Sequence, residues 1–180
     1  VTVDPLLNPV DFAKFQAKDQ DWFLGAVGET IRDYCNWHIA PIISVTDVQA
    51  KIGNQGIIML PTLNLVSVER LSWCSTDMPA DSYDVHDSGW LQQRNPYFGS
   101  QWFRGMRNAW VTVDFTHGYE TLPKAVAEVG YELTGRVLEK PAGIVTKIQR
   151  GPTNMEFGEF GVVLSEDQKS RLGPYRVMRV

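Results

Sequence analysis

Cys35 and His38 stand in a Cys-x-x-His spacing, which could be half of a tetrahedral zinc site. A structural zinc needs four ligands. The remaining cysteine and histidines, Cys74, His86 and His117, are scattered without a second paired spacing. A small core cysteine beside a packed histidine explains the pair better, so no metal is expected. His117 with Asp114 could form a base and its orienter. The two lie three apart in an alternating run, however, and so face opposite sides of a strand. No nucleophile elbow, paired catalytic histidines or phosphate-cradling glycine loop appears, and no two carboxylates are singled out as a glycosidase pair. The chain reads as a non-enzyme without a cofactor.

The aromatic residues are harder to set aside. Six tryptophans occur in 180 residues. Trp90, Tyr97, Phe98, Trp102, Phe103 and Trp110 cluster around a glycine-containing loop. Such a group can form a carbohydrate platform, a protein interface or a lid folded over a core. Core plus interface is the preferred reading.

These residues need elements to hold them. Asn8-Pro9 opens a short helix to about Ala17, and a stronger one is expected from about Asp19 to Asn36. Phe23, Leu24, Val27, Ile31, Tyr34 and Cys35 recur there at helical spacing. Strands are expected at Ile42 to Ala50, Ile57 to Leu60, Leu65 to Trp73, Tyr83 to His86, Trp90 to Gln92 and Ala109 to His117. KIGNQG and Asp87-Ser88-Gly89 supply turn chemistry, and Gly118 a turn where a side chain would clash. Thr121 and Pro123 suit the start of a helix running to about Glu139, with Val126, Val129, Leu133 and Val137 on its core face. Residues 144–160 alternate around Gly151-Pro152 and read as an extended arm or projecting hairpin. Ser165 and Gln168 form a capping box for a last short helix, which Gly173-Pro174 ends.

The expected fold class is α+β, with helices at both ends of the chain, a β-rich insertion between them, an extended arm, and a short C-terminal helix plus tail. Residues 1–41 would be the N-terminal helices, 42–118 the insertion, and 119–180 the C-terminal helices, arm and tail, all in one structural unit. A hydrophobic fraction of 43% can supply the core. No apolar run approaches the roughly 18 residues of a membrane span, and nothing resembles a signal peptide, so a cytosolic origin is expected. Two cysteines do not make a disulfide framework. The net charge of −4 argues against a general nucleic-acid binder. Residues 1–103 carry 6 basic and 12 acidic side chains, residues 104–180 carry 11 and 9, an asymmetry suited to head-to-tail contact between copies.

Six landmarks follow in order: YCNWHIAP (34–41), LPTLNLVSVERLS (60–72), SYDVHDSGWLQQR (82–94), VTVDFTHGYETLPKAV (111–126), KPAGIVTKIQRGPTNMEF (140–157) and LSEDQKSRLGPYRV (164–177). Together they resemble the head-to-tail adaptor, or connector, proteins of tailed bacteriophages, especially those of long-tailed actinobacterial phages. The resemblance runs from about Val10 to Val177. It implies a small helical-bundle core carrying the β-rich insertion between its second and third main helices, in a structural virion protein assembled in the host cytoplasm and located at the head–tail neck. About twelve copies would close into a ring. That ring would join the portal to stopper or tail proteins and extend a channel for double-stranded DNA, passed without sequence preference. The family's tail commonly docks on the portal, which maps here to Tyr175, Arg176, Val177, Met178, Arg179 and Val180. Ile144, Thr146, Ile148, Met155 and Phe157 would be poor residues to leave exposed alone, so the arm reads as an intersubunit contact. Trp90, Tyr97, Phe98, Trp102 and Phe103 are the candidate aromatic interface. The alternative reading is a β-rich carbohydrate-binding module using Trp90, Trp102 and Trp110. A third, an orphan hydrolase, would need a cleft with a shifted histidine or carboxylate.

Overall fold

The computed structural model describes residues 6–7, 20–53, 56–94, 109–139, 147–150, 153–156 and 163–178. In chain order the elements are α1 (Gln20–Cys35), β1 (Ile43–Lys51), β2 (Ile57–Met59), β3 (Leu65–Trp73), β4 (Thr76–Asp77), β5 (Tyr83–His86) and β6 (Trp90–Gln93). There follow β7 (Trp110–His117), α2 (Lys124–Glu139), β8 (Lys147–Arg150), β9 (Thr153–Glu156) and α3 (Glu166–Leu172).

β7 is the centre of the molecule. Its alternation buries Val111, Val113, Phe115 and His117, while Thr112, Asp114 and Thr116 face outward. It pairs antiparallel with β1 on one side and β3 on the other, giving the order β1-β7-β3-β4. A second antiparallel sheet has the order β2-β6-β5, and the Ile52–Ile58 bridge links it to the end of β1. The two sheets enclose one apolar core, with Phe115, Leu71 and Val113 from the first and Ile58, Leu91 and Tyr83 from the second. Gly89 closes the β5–β6 turn at φ +86°, where a Cβ would lie 2.0 Å from the Thr62 carbonyl oxygen.

The helices form a second cluster beside the sheets. Leu24, Val27 and Ile31 of α1 pack with Val126, Val129 and Leu133 of α2, and Leu6, Leu7 and Leu172 join them. α3 begins at the expected capping box, with the Ser165 hydroxyl accepting from the Gln168 amide and the Gln168 side chain accepting from the Ser165 amide. α2 begins slightly later than expected. The Pro123 carbonyl accepts from the amides of Val126 and Ala127, so Pro123 rather than Thr121 marks the boundary.

The expected helical-bundle core with a β insertion is overturned. The described residues are mostly β: they form seven strands in two antiparallel sheets, a separate β8–β9 hairpin and three α-helices. The individual elements lie close to their expected positions, but their ranking was wrong. Three nine- or eight-residue strands and the smaller second sheet enclose a core of their own, so the β section is the body to which the helices are applied. The reverse, a helical core, was what the resemblance implied. The helix expected at residues 8–17 lies outside the described residues.

Candidate functional site

The two cores meet at a joint between the end of α1 and the end of β7. α1 stops at Cys35, and Asn36 and Ile39 adopt left-handed backbone angles, φ 63° and 68°. Ile39 is β-branched and fully buried there, a strained position that its surroundings must hold. Its carbonyl accepts from the Tyr119 amide at 2.8 Å. Gly118 turns the chain out of β7 at φ +117°, and a Cβ there would sit 2.5 Å from the Pro41 carbonyl oxygen and 2.7 Å from His38 Nε2.

Inside this joint His38 and His117 lie edge to face with ring centroids 4.3 Å apart. His117 is 5% exposed. His38 Nε2–H donates to the Pro41 carbonyl at 2.6 Å, which leaves Nδ1 as the bare nitrogen of the neutral ring. The Nδ1 atoms of both rings are buried and have no hydrogen-bond partner among the described residues. Burial, with the neighbouring His38, pulls His117 down to about 4. Burial also lowers His38, opposed by the Pro41 hydrogen bond and assisted by Arg32. Both rings are neutral near pH 7. Arg32 stiffens the same region, donating from Nε to the His38 carbonyl and from Nη2 to the Ala40 carbonyl, both at 3.1 Å.

Trp37 covers the histidine pair, its ring centroid 5.8 Å from His38 and 6.3 Å from His117. Its indole N–H donates to the Tyr175 carbonyl at 2.7 Å. The Asn36 side-chain amide donates to the Val177 carbonyl at 3.0 Å, and the Val177 amide donates to the Cys35 carbonyl at 2.9 Å. The C-terminal segment is thus clamped to α1.

This places the first part of the expected portal contact. Tyr175 and Val177 pack on the helix cluster, the Arg176 guanidinium lies 5.0 Å from the Tyr34 ring centre, and Met178 is 83% exposed. Arg179 and Val180 lie outside the described residues. Of the arm, β8 and β9 form an antiparallel hairpin with Ile148 opposite Met155. Ile144, Thr146 and Phe157 are outside the described residues, as are Tyr97, Phe98, Trp102 and Phe103 of the aromatic interface. Trp90 stacks on His86 at 3.5 Å and donates to Ser88 Oγ, so its ring is already occupied.

Trp110 is different: it is 60% exposed, on the outward face of β7. That face carries a hydrogen-bonded polar array. Arg70 bridges Asp114 and Asp47, Gln49 donates to Thr112, and Glu69 accepts from both Ser67 and Thr116. The Arg70 guanidinium and the Asp47 amide hold the Asp114 carboxyl below its ordinary range.

Cys35 is buried at the end of α1, and burial pushes its thiol up to about 11, away from the thiolate a metal or nucleophile would need. Among the described residues no group of three or more His, Cys, Asp or Glu side chains could hold a metal ion. His117 and Asp114 face opposite sides of β7 as the alternation requires. What sequence reasoning missed is the meeting of His38 with His117. The signal available was a histidine at an inward position of the strand, and nothing in it named the partner.

No protein-family model matches the chain, and no curated protein matches it. No helix among the described residues is long and apolar enough to cross a membrane.

Proposed function

We propose that this chain is a non-enzymatic assembly subunit, a ring-forming adaptor between a phage portal and its stopper or tail proteins. The ordered landmarks from residue 34 to residue 177 are the ground for the phage context. The structural observation that carries the reading is the clamped C-terminal segment. Three hydrogen bonds from or to Asn36, Trp37 and Cys35 fix residues 175–177, and Met178 beyond them is exposed. A short strand of chain anchored at its base and exposed beyond it is suited to gripping a partner. A closed ring also needs two unlike lateral faces, because its contacts are heterologous. Val66 and Trp110 on the sheet side, and Val163 and Met178 on the helix side, are exposed apolar residues that such faces would cover. The assembly role does not depend on the helical core that the resemblance implied.

The clamp sharpens the test. Tyr175 and Val177 belong to the packing, so the informative variant removes only residues 178–180. Particles made with a gold-binding tag near Val1 should show label at the neck between capsid and tail. The truncated chain should fold normally and fail to attach to heads. Unimpaired attachment removes the tail from the portal contact, and label absent from the neck removes the adaptor reading.

One observation favours the carbohydrate-binding alternative, the exposed Trp110 ring beside the Arg70–Asp114 array. Label on fibres or the tail tip, with glycan quenching of tryptophan fluorescence lost in Trp110→Ala, would select it.

A further inference from the structure

The least settled place in the molecule is the joint itself. Two imidazoles in contact, each with a buried unpartnered Nδ1, can remain there only while neutral. We propose that the His38–His117 pair is an acid-operated joint: proton uptake by the imidazoles parts the helix layer from β7 and frees Tyr175 to Met178 while the sheet core stays closed.

Among the described residues, the groups around the pair leave an imidazolium without a counter-charge. From α1 come Arg32, a cation acting on His38, and Cys35, whose raised thiol stays protonated in acid. Arg32 is itself paired with Glu29 at 3.1 Å, which neutralises that carboxylate away from the rings. From the segment after β7 comes the Tyr119 phenol, beside Trp37. The C-terminal segment brings the Tyr175 phenol, edge-on to Tyr119, and the cation Arg176. On β7, Asp114 is on the opposite face and engaged by Arg70. β3 contributes Leu65, paired with His117 in register, and the neighbouring Asn64 is neutral. A proton on either Nδ1 therefore creates a buried donor and a buried charge together. Two charged rings at this separation would also repel.

The route from the rings to the tail is short. Trp37 lies over both histidines and holds the Tyr175 carbonyl through its indole N–H. Displacing Trp37 removes that bond and uncovers Cys35, whose carbonyl holds Val177. Opening also releases the left-handed backbone of Ile39. His117 also touches the sheet core, its ring centroid 4.8 Å from that of Phe115, but among the described residues that core's buried cluster holds no histidine of its own.

The two cysteines make the test direct, because Cys35 is buried and Cys74 exposed. In full-length Cys74→Ser protein, Cys35 is the single thiol. Its labelling by dithiodipyridine is followed from pH 7.5 to 4.5, relative to the denatured chain at each pH, with circular dichroism reporting the sheets. One proton taken up in opening makes labelling rise on the order of fifty-fold over this range, with the sheet signal unchanged. His117→Phe, or His38→Gln, which keeps a neutral donor toward Pro41, should flatten the rise. A Cys35 that stays closed, or that opens only as the sheet signal is lost, overturns the proposal. So does an undiminished rise in both variants. NMR titration of the unmodified chain needs neither variant: an ordinary or raised His117 value in the folded protein refutes the joint outright.

Discussion

The sheet core and the helix core bury similar apolar side chains but differ in what they bury besides. Around Phe115 the enclosed residues are mostly hydrocarbon, with Ser72 and Ser82 at the margins and His117, shared with the joint, at the end of β7. Around Ile31 the helices also enclose Arg32, Thr134 and Gln168, and they adjoin β7 through His38 and His117. The polar groups of the sheet section are instead turned outward, where Arg70, Asp47 and Asp114 satisfy one another in water. The sheet half therefore depends mainly on packing. The other depends on packing plus the charge state of its buried groups, and conditions that change charge without changing volume should separate them.

The largest effect should come from emptying the sheet core. Phe115 is fully buried at the centre of β7, and Phe115→Ala should cost about 4 kcal/mol in urea unfolding. A cost near that of an exposed site would mean that the sheets do not share one core. Next is acid. The folded His117 binds its proton near 4, whereas the unfolded chain binds it near 6.5. Stability from this group is complete above pH 6.5 and is lost as pH falls toward 4, by roughly 3 kcal/mol in all. Unfolding midpoints that stay level across that window would contradict the contrast between the cores.

Gly118→Ala forces a side chain against Pro41 and His38 at the joint and should destabilise by roughly 2 kcal/mol, with amide exchange rising first around residues 36–41 and 117–119. Exchange rising first in β1 and β3 would place the weak point in the sheet instead. The smallest of these effects is Ser165→Ala, which removes a capping oxygen from α3 and should cost about 1 kcal/mol without altering the acid response. A changed acid response would show that α3 and the joint are coupled.

Local elements were readable because their signals are local. Alternation marked β7 almost to the residue, the apolar residues of 65–73 marked β3 despite imperfect alternation, Gly89 and Gly118 marked turns that no side chain fits, and Ser165 with Gln168 marked the start of α3. β4 escaped because a two-residue strand has no period to detect, and its turn uses Cys74 and Ser75 at positive φ, not a glycine. The fold class was misjudged because the helical core was taken from the resemblance, and local spacing does not say which segments enclose the most apolar surface.

Taken alone, the amino-acid order determined where strands and helices form, which face of each is apolar, and that Cys35 and His117 point inward. Those properties depend on neighbours within a few residues, whose spacing sets backbone angles and side-chain direction. The tertiary structure alone decided that the sheets rather than the helices form the body, that residues 175–177 are clamped to α1, and that His38 meets His117 across the joint. Such contacts join residues dozens of positions apart, and they are selected by how whole surfaces pack, which no local spacing encodes.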